Sequence, residues 1–385
     1  MPTNDLNTTK DDEVDKIVLI DGNALIHRSY HAIPHLTTGE GKLVNAVYGF
    51  AATILRVLED LKPRYIVATF DVSKDTFRRK LYSEYKAQRV AAPQELYDQI
   101  PMVKEICDVL NIPIFAVEGF EADDVIGTIV NKLKTKNLKL KTNDVILNDS
   151  EESQDPSQAQ DDIQPKKLMP NKLKAFIVTG DKDTYQLVSN DVFVYSIIKG
   201  LKNVEIIDTF YVREKYGFGP ELIIDYKALR GDPSDNIPGV PGIGEVTAKK
   251  LIVEFGTIEN LYSVLSSHPE QQRRISLNRD SSSACHSGED QNLDQKGFRT
   301  SRNDTTHKLS DKIKKLLLAN KEQALLSKVL STIKLDVPLD FDLGCCLVHD
   351  YDKEKALKLF KKLEFKSLIS RLPEQHSRHE QVKLF

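Results

Sequence analysis

The chain has 385 residues, which is enough for two or three domains, and its 40% hydrophobic and 29% charged residues are ordinary for a globular protein. No apolar run approaches the roughly 18 to 20 residues that cross a bilayer, and the polar, acidic N-terminus matches neither a secretory signal nor a transit peptide. The cysteines show no CxxC or Cys/His metal spacing and argue against a disulfide framework; they are Cys107, Cys285, Cys345 and Cys346. We therefore expect a cytoplasmic protein with reduced thiols and no membrane partner.

The net charge of −3 is unevenly distributed along the chain. Residues 143–165 contain seven acids and no Lys or Arg, so removing this segment changes the charge of the remainder from −3 to +4. The overall charge therefore does not exclude a nucleic-acid partner.

Four short apolar runs have the composition of buried parallel strands: KIVLI (16–20), RYIVATF (64–70), IPIFAV (112–117) and AFIVT (175–179). The segments between them carry helical spacing. Alternating strands and helices predict an α/β fold, with a parallel sheet flanked by helices on both faces.

Acidic residues follow each of the four predicted strands, either directly or at the start of the next helix: Asp21, Asp71, Glu121, Asp123, Asp124, Asp181 and Asp183. The carboxyl ends of parallel strands lie on one edge of a sheet, which is where open α/β sheets bind ligands. Two further acids, Asp232 and Asp235 in GDPSDN, precede a glycine-rich hairpin. Taken singly, these acids are explained by helix capping and turn formation.

Nine acids in five segments are hard to obtain from capping alone, and their mutual repulsion requires cations. Oxygen ligands without His or Cys favour hard ions, so we predict two Mg²⁺ ions, about 4 Å apart, with Mn²⁺ as a substitute. In GFEADDVIG, helical geometry places Glu121 and Asp124 about 60° apart in projection, with Asp123 about 160° from Glu121. We expect Glu121 and Asp123 to lie nearest the metal, and Asp124 to act through water or to cap the helix.

The segment from residue 72 to 92, which we call the basic arm, has a local charge of +4; its basic residues are Lys74, Arg78, Arg79, Lys80, Lys86 and Arg89. On a helix, Lys86 and Arg89 would share a face and could clamp one phosphate. Tyr85, with Tyr82, could stack on unpaired bases. Arg28 is another candidate phosphate ligand. The structural alternatives are a solvated helix face with packed tyrosines and, for Arg28, a surface ion pair.

The segment NIPGVPGIGEVTAKKLI (236–252) predicts a helix, a tight hairpin and a second helix that begins near Gly244. Glycines let a backbone approach a phosphate, and helix N-terminal amides attract it. This helix-hairpin-helix pattern is typical of sequence-independent DNA binding, although a purely structural αα-hairpin remains an alternative. The candidate DNA-binding residues are Arg78, Gly239, Gly242, Gly244, Lys249 and Lys250.

These features together make the chain strongly resemble the 5′-nuclease domain of bacterial DNA polymerase I, a member of the flap endonuclease family. The resemblance rests on VLIDGNALIHRSYHA, TFDVSKDTFR, EYKAQR, GFEADDVIGT, TGDKDTYQLV, ELIIDYKALRGDPSDNIPGVPGIGEVTA and LEFKSLISRLP. It implies that all nine acids are metal ligands and that Arg28, Lys86 and Arg89 contact the scissile region. It also implies that Tyr85 stacks on the terminal base pair or flap. Relatives bind potassium through main-chain carbonyls at the hairpin, and the matching positions are Leu229, Arg230, Pro238, Val240 and Ile243.

The resemblance also implies a domain organisation. We expect a PIN-like catalytic domain over residues 16–218, with a helical arch over about 72–106, and a helix-hairpin-helix domain over 219–372. Residues 136–172 and 267–308 are polar insertions with the composition of disorder, and residues 1–15 and 373–385 are predicted tails. Because the chain ends soon after LEFKSLISRLP, we expect no polymerase activity from it and expect either a stand-alone nuclease or a fragment.

The predicted function is a magnesium-dependent, structure-specific 5′–3′ exonuclease and flap endonuclease in DNA replication and repair. Its expected substrates are nicked or branched duplex DNA with a 5′ flap and RNA primer–DNA hybrids, and it is expected to be a monomer that cooperates with a separate DNA polymerase. Two alternatives remain. A non-catalytic DNA-binding relative would lack a core acid, and a small toxin-like ribonuclease would lack the hairpin and the arch.

Overall fold

The computed structural model describes residues 14–146, 173–198, 203–266, 309–348 and 351–373. Most of both predicted insertions and nearly all of both predicted tails lie outside the described residues. The chain divides into two compact units. The first comprises Met1–Glu221 and Ile333–Phe385, and the second comprises Leu222–Thr332.

A six-stranded sheet forms the centre of the first unit, with the strand order β3-β2-β1-β4-β5-β6. Strands β1 to β5 are parallel, and β6 pairs with β5 in the antiparallel direction. The strands are β1 (Asp15–Asp21), β2 (Tyr65–Thr69), β3 (Ile114–Phe115), β4 (Leu173–Val178), β5 (Val192–Ile197) and β6 (Val204–Ile207).

All four predicted strands are present. The apolar runs of β1, β2 and β4 are largely buried, whereas β3 has only two residues and its Ile114 is exposed. Residues 17–20 of β1 have no exposed surface. The last two strands, β5 and β6, were not predicted from the sequence. The α/β fold class is confirmed, with β6 as an antiparallel addition at the edge.

Helices cover the sheet in the first unit. They are α1 (Gly22–Ala32), α2 (Asn45–Leu61), α3 (Phe77–Leu81), α4 (Gln94–Tyr97), α5 (Ile100–Val109), α6 (Ala122–Ile146) and α7 (Thr209–Tyr216). A 3₁₀ helix, Lys182–Leu187, follows β4. Helix α6 continues to Ile146 and so enters the segment predicted as disordered from residue 136, where Leu and Lys are good helix formers. The rest of that insertion lies outside the described residues.

The predicted helical arch is only partly helical. Helices α3 and α4 and the first part of α5 lie within residues 72–106, but residues 82–93 form turns and irregular backbone. Lys86 has a left-handed backbone with φ of +55°, and the amide of Arg89 donates to the carbonyl of Lys86 at 3.2 Å. The prediction that Lys86 and Arg89 share a helix face is therefore wrong. From this turn the side chains of Tyr85 and Lys86 both donate hydrogen bonds to Glu121.

The chain returns to the first unit at Ile333, which corrects the predicted second domain of residues 219–372. Helices α13 (Lys353–Lys362) and α14 (Lys366–Ile369) belong to the first unit, as does the 3₁₀ turn Leu343–Cys346. The apolar side of α13 joins the core beside the sheet, so this segment completes the first unit.

The second unit is helical. It contains α8 (Ile223–Arg230), α9 (Glu245–Phe255), α10 (Ile258–Ser266), α11 (Asp311–Ala319) and α12 (Lys321–Ser331). The predicted hairpin lies between α8 and α9, and α9 begins directly after Gly244, as expected. Nowhere in the described ranges is there a helix long and apolar enough to span a membrane.

Candidate metal centre

A cleft of about 450 Å³ opens at the carboxyl edge of the sheet in the first unit. Five carboxylates line it, together with the two predicted phosphate ligands of the basic arm. The lining residues are Asp21, Asn23, Ala24, His27, Asp71, Lys86, Arg89, Val90, Glu121, Ala122, Asp123 and Asp181. The predicted convergence of the strand-end acids therefore occurs, because β2, β1 and β4 are adjacent and parallel.

Asp21 ends β1 and caps helix α1. One of its carboxylate oxygens accepts from the amide of Ala24 at 3.0 Å, and the other accepts from the hydroxyl of Thr179 at 2.9 Å. Asp21 is 6% exposed. Burial raises the pKa of Asp21 to about 7, and the nearby charges of Asp181 and Asp71 act in the same direction. Such a carboxylate is costly to keep charged without a cation beside it.

Asp71 joins the loop after β2 to the start of α6. Its Oδ1 accepts from the amide of Ala122 at 2.7 Å, and its Oδ2 accepts from the side-chain amide of Asn23 at 2.6 Å. Desolvation within the cleft raises its pKa, and the charge of Glu121 adds to the effect. The site therefore draws on two helix starts as well as strand ends.

Glu121, Asp123 and Asp124 form the acidic cluster at the start of α6, with one carboxylate oxygen from each within 4.8 Å of the others. Asp124 is fully buried, and its Oδ2 accepts from the amide of Glu121 at 3.1 Å. This is the reciprocal bond of a helix cap. The capping role considered for Asp124 is confirmed, and Asp124 is not among the residues that line the cleft.

Arg78 was predicted to bind DNA, but the structure buries it beneath the acidic cluster, with 2% of its surface exposed. Its two terminal nitrogens each lie 2.7 Å from a different oxygen of Asp124, and one of them also lies 3.0 Å from Glu121 Oε2. Burial opposes this charge, but the three acids of the cluster outweigh burial and raise the pKa of Arg78. The prediction is wrong because the guanidinium neutralises acids that are themselves buried.

Tyr85 and Lys86 also bind Glu121. The hydroxyl of Tyr85 donates to Oε2 at 3.0 Å, and the ammonium group of Lys86 donates to Oε1 at 2.7 Å. The Tyr85 residue is 4% exposed, so its ring is enclosed and is not presented for stacking on a base. In this structure Tyr85 holds a carboxylate, which corrects the predicted stacking role.

The carboxylate of Asp123 best tests whether a cation fits in this cleft. Its Oδ1 is buried and has no hydrogen-bond partner among the residues that the structure describes. Burial raises the pKa of Asp123 well above its usual value, and Asp124 and Glu121 add to this against the opposing charge of Arg78. A buried carboxylate oxygen without a donor, among four other cleft-lining carboxylates, fits a bound cation.

Asp181 and Asp183 follow β4. Asp181 caps the 3₁₀ helix, and its Oδ1 accepts from the amide of Asp183 at 2.9 Å. Asp181 lines the cleft, whereas Asp183 is outside the lining. Arg28 is also outside the lining, although its guanidinium lies 4.0 Å from the position that a Cβ at Gly180 would occupy. Burial lowers the pKa of Arg28.

The sequence-based prediction missed three polar residues of the site: Asn23, His27 and Thr179. Asn23 and His27 lie four residues apart on α1, so that one helix face following Asp21 points into the cleft. This spacing was the signal that could have identified them. Burial lowers the pKa of His27, and the charges of His31 and Arg89 reinforce the effect.

The remaining two predicted metal acids lie in the second unit. Asp232 pairs with Lys227, whose ammonium nitrogen lies 2.7 Å from Oδ2, and its Oδ1 accepts from the amide and the hydroxyl of Ser234. Burial opposes the charge, but the pairing with Lys227 lowers the pKa of Asp232 overall. Asp235 is 5% exposed and follows in the same turn. Their participation in the metal centre stays a prediction.

The hairpin of the second unit is held by close backbone packing. Gly239 has φ of +61°, and a Cβ there would lie 2.2 Å from the amide nitrogen of Gly231. The amide of Gly239 donates to the hydroxyl of Ser327 at 3.0 Å and is therefore already engaged, and the contact of Gly239 with DNA stays a prediction. Gly242 and Gly244 are exposed next to the start of α9, as is Lys250, while Lys249 pairs with Glu245 at 2.8 Å.

Two of the predicted potassium ligands already accept hydrogen bonds within this turn. The carbonyl of Leu229 accepts from the amide of Val240 at 2.8 Å, and the carbonyl of Val240 accepts from that of Ile243 at 3.0 Å. Each carbonyl retains a second lone pair. A potassium ion at Leu229, Arg230, Pro238, Val240 and Ile243 stays a prediction.

Two solved structures with a similar fold are a phage exonuclease and a nuclease core bound to DNA. T5 5′-exonuclease, solved with zinc bound, matches with a TM-score of 0.54 at 17% identity over 91% of this chain and 98% of that one. The catalytic core of Rad2 in complex with DNA substrate matches with a TM-score of 0.50 at 16% identity over 94% of each chain. These likenesses support the predicted fold class.

Sequence comparison points to the same family. DNA polymerase I of Caldicellulosiruptor bescii is 37% identical over 93% of this chain and 33% of its own length, and that of Bacillus subtilis is 33% identical over 95% and 33%. The chain thus spans about a third of the length of these curated relatives. It matches the family models for the 5′-3′ exonuclease N-terminal resolvase-like domain over residues 16–149 and the C-terminal SAM fold over residues 218–297. With both domains matched in order, and with four of the five cleft carboxylates in the first of them, the chain belongs to the 5′-3′ exonuclease family.

Proposed function

We propose that this chain is a magnesium-dependent 5′–3′ exonuclease and 5′-flap endonuclease that hydrolyses phosphodiester bonds in DNA and in RNA primers. The observation that supports this most directly is the cleft in which five carboxylates meet Lys86 and Arg89. A site that combines clustered acids with cations suits a phosphodiester, because the acids need metal ions and the phosphate needs positive charge.

The carboxylates of Asp21, Asp71, Glu121, Asp123 and Asp181 would hold two divalent ions, with Mg²⁺ as the ion in the cell and Mn²⁺ as a substitute. When bound, such ions polarise an attacking water and stabilise the charge on the leaving oxygen. Asp232 and Asp235 are proposed as additional ligands or as partners of ordered water.

The chain's own cations would position the substrate. Lys86 and Arg89 line the cleft beside the carboxylates, where they attract the scissile phosphate and stabilise the negative charge that develops on it. Lys86 pairs with Glu121 Oε1 in this structure, so binding of a phosphate would exchange one anionic partner for another. Arg28, near Gly180, is placed to contact a neighbouring phosphate.

The hairpin of the second unit would bind duplex DNA through its backbone. Exposed glycines precede α9, and Lys250 is exposed in its second turn. Helix N-terminal amides and lysines attract phosphates without reading bases, so affinity should fall steeply with salt. The proposed substrates are nicked or branched duplexes with a 5′ flap and RNA–DNA hybrids. The enzyme would act as a monomer and would receive these substrates from a separate DNA polymerase. A potassium ion would bind at the hairpin.

The decisive experiment is cleavage of an end-labelled 5′-flap duplex in Mg²⁺ by the wild-type chain and by Asp181→Ala. Asp181 is exposed, so its loss should spare the fold, and we expect cleavage to be abolished. Asp108→Ala, an exposed acid on α5, is the matched control and should cleave normally. Equal cleavage by Asp181→Ala and the wild type would contradict the proposal. Comparing flaps with and without an upstream primer then measures the balance between endonuclease and exonuclease activity.

A further inference from the structure

Two neighbouring cysteines lie in the 3₁₀ turn Leu343–Cys346 of the first unit. The Sγ atoms of Cys345 and Cys346 are 3.8 Å apart. Both thiols point toward one acceptor, the carbonyl oxygen of Asp342, at 2.9 Å from Cys345 and 3.3 Å from Cys346. Side chains of adjacent residues usually diverge, so this turn brings together two sulfurs that the sequence alone does not place in contact.

The pair is remote from the metal centre along the sheet. Leu347 forms a bridge with Tyr65, and the amide of Val348 donates to the carbonyl of Arg64 at 2.9 Å. These contacts anchor the turn at the first residue of β2, whereas the metal centre lies beyond the last residue of that strand. Cys345 is exposed and Cys346 is buried, which gives one accessible thiol and a second directly behind it.

The sulfur spacing fits a single atom that bonds to both thiols. Two sulfurs bonded at about 2.3 Å to one centre lie about 3.3 to 3.8 Å apart, for angles from the pyramidal to the tetrahedral range, so the observed spacing lies at the upper end of that range. A structural zinc site needs four ligands. Within the described residues, Glu121, Asp123 and Asp124 form the one group of three or more metal-ligating side chains at coordinating distance, and the cysteine pair gains no third such ligand. The pair therefore suits a soft centre that is satisfied by two sulfurs.

We propose that Cys345 and Cys346 form a vicinal dithiol site for trivalent, thiophilic compounds of the monosubstituted arsenical type. The arsenic forms two As–S bonds, the two thiols lose their protons, and the oxide oxygen leaves as water, so that R–As=O and two thiols give R–As(S)₂ and water. No electron is transferred. Cys345 reacts first because it is exposed, and ring closure onto Cys346 follows.

The test uses phenylarsine oxide and the full chain with Cys285→Ser, which removes the one cysteine outside the described residues. Native mass spectrometry should show one phenylarsenic group bound per chain. When the adduct is unfolded and its free thiols are titrated with a disulfide reagent, it should show two thiols fewer than the untreated protein. The adduct should survive excess 2-mercaptoethanol and be removed by 2,3-dimercaptopropanol, because only a dithiol competes with a two-sulfur chelate. Cys107 should not take part, since burial raises its pKa to about 12.

Variants in the same background separate a chelate from a single reactive thiol. Cys345→Ser should lose the adduct, and Cys346→Ala should give only an adduct that 2-mercaptoethanol removes. Cys107→Ala should behave as the parent does. Thermal unfolding and flap cleavage confirm that each variant is folded. An adduct on folded Cys345→Ser, or an adduct of the parent that 2-mercaptoethanol removes, would overturn the proposal.

Discussion

The strand-end acids Asp21, Asp71 and Asp181 and the basic arm lie side by side in the same cleft, yet they are placed there by different forces. The acids follow parallel strands whose register is fixed by backbone hydrogen bonds between β2, β1 and β4. The basic arm has little regular structure, and side-chain contacts to Glu121 and Asp124 set its course. The position of the acids follows from the sheet topology, and that of the basic arm follows from direct side-chain contacts between residues far apart in the sequence.

The largest expected effect comes from the acids. Asp71→Ala should reduce flap cleavage by more than about 100-fold, because even residues that only orient a metal ligand typically cost 10- to 100-fold. Asp183→Ala, which removes an acid outside the cleft lining, should cost less than Asp71→Ala. The measurement is the single-turnover rate at saturating Mg²⁺, with circular dichroism to check folding. Equal losses in both variants would mean that Asp183, although outside the cleft lining, matters as much for cleavage as Asp71 does.

The next effect concerns stability. Arg78→Ala should lower the free energy of unfolding by about 3–5 kcal/mol, because it leaves the buried carboxylate of Asp124 without its bidentate partner. Arg79→Ala, an exposed neighbour in the same helix, should change it by less than about 0.5 kcal/mol. Urea denaturation in the presence of EDTA measures both. Similar stabilities for the two variants would contradict a stabilising role for the buried ion pair of Arg78.

This contrast also explains how far the sequence could be used for prediction. Apolar runs that end in aspartate predicted β1, β2 and β4 and the acids beyond them, because a parallel sheet leaves few alternatives. The number of basic residues in the arm gave no indication that Arg78 is buried or that Tyr85 binds a carboxylate. Those contacts join residues 36 to 46 positions apart in the chain, and local spacing carries no information about them. Strands β5 and β6 were missed as well.

An effect of pH on stability, at most of similar size, is expected in the metal-free protein. Burial raises the pKa of Asp21 to about 7, above its unfolded value of about 3.9, so the folded state retains a proton over that interval. Stability from this group is therefore complete below about pH 4 and is lost as pH rises toward 7, at up to about 1.4 kcal/mol per pH unit. The difference in unfolding free energy between the wild type and Asp21→Asn in EDTA, measured from pH 4.5 to 7.5, isolates this contribution. A difference that does not change with pH, or that changes in the opposite direction, would contradict it.

The smallest change gives the sharpest distinction between the two explanations for the basic arm. Tyr85→Phe keeps the ring and removes only the hydroxyl that donates to Glu121 at 3.0 Å. If Tyr85 holds the carboxylate, the variant should need several-fold more Mg²⁺ for half-maximal cleavage, as expected for the loss of one hydrogen bond of about 1 kcal/mol. If Tyr85 instead stacks on a base, Tyr85→Phe should match the wild type and only Tyr85→Ala should lose activity. Comparing both variants across a Mg²⁺ titration distinguishes a change in metal affinity from a change in the maximal rate. The carboxylate contact predicts a change in metal affinity, whereas base stacking predicts a change in the maximal rate.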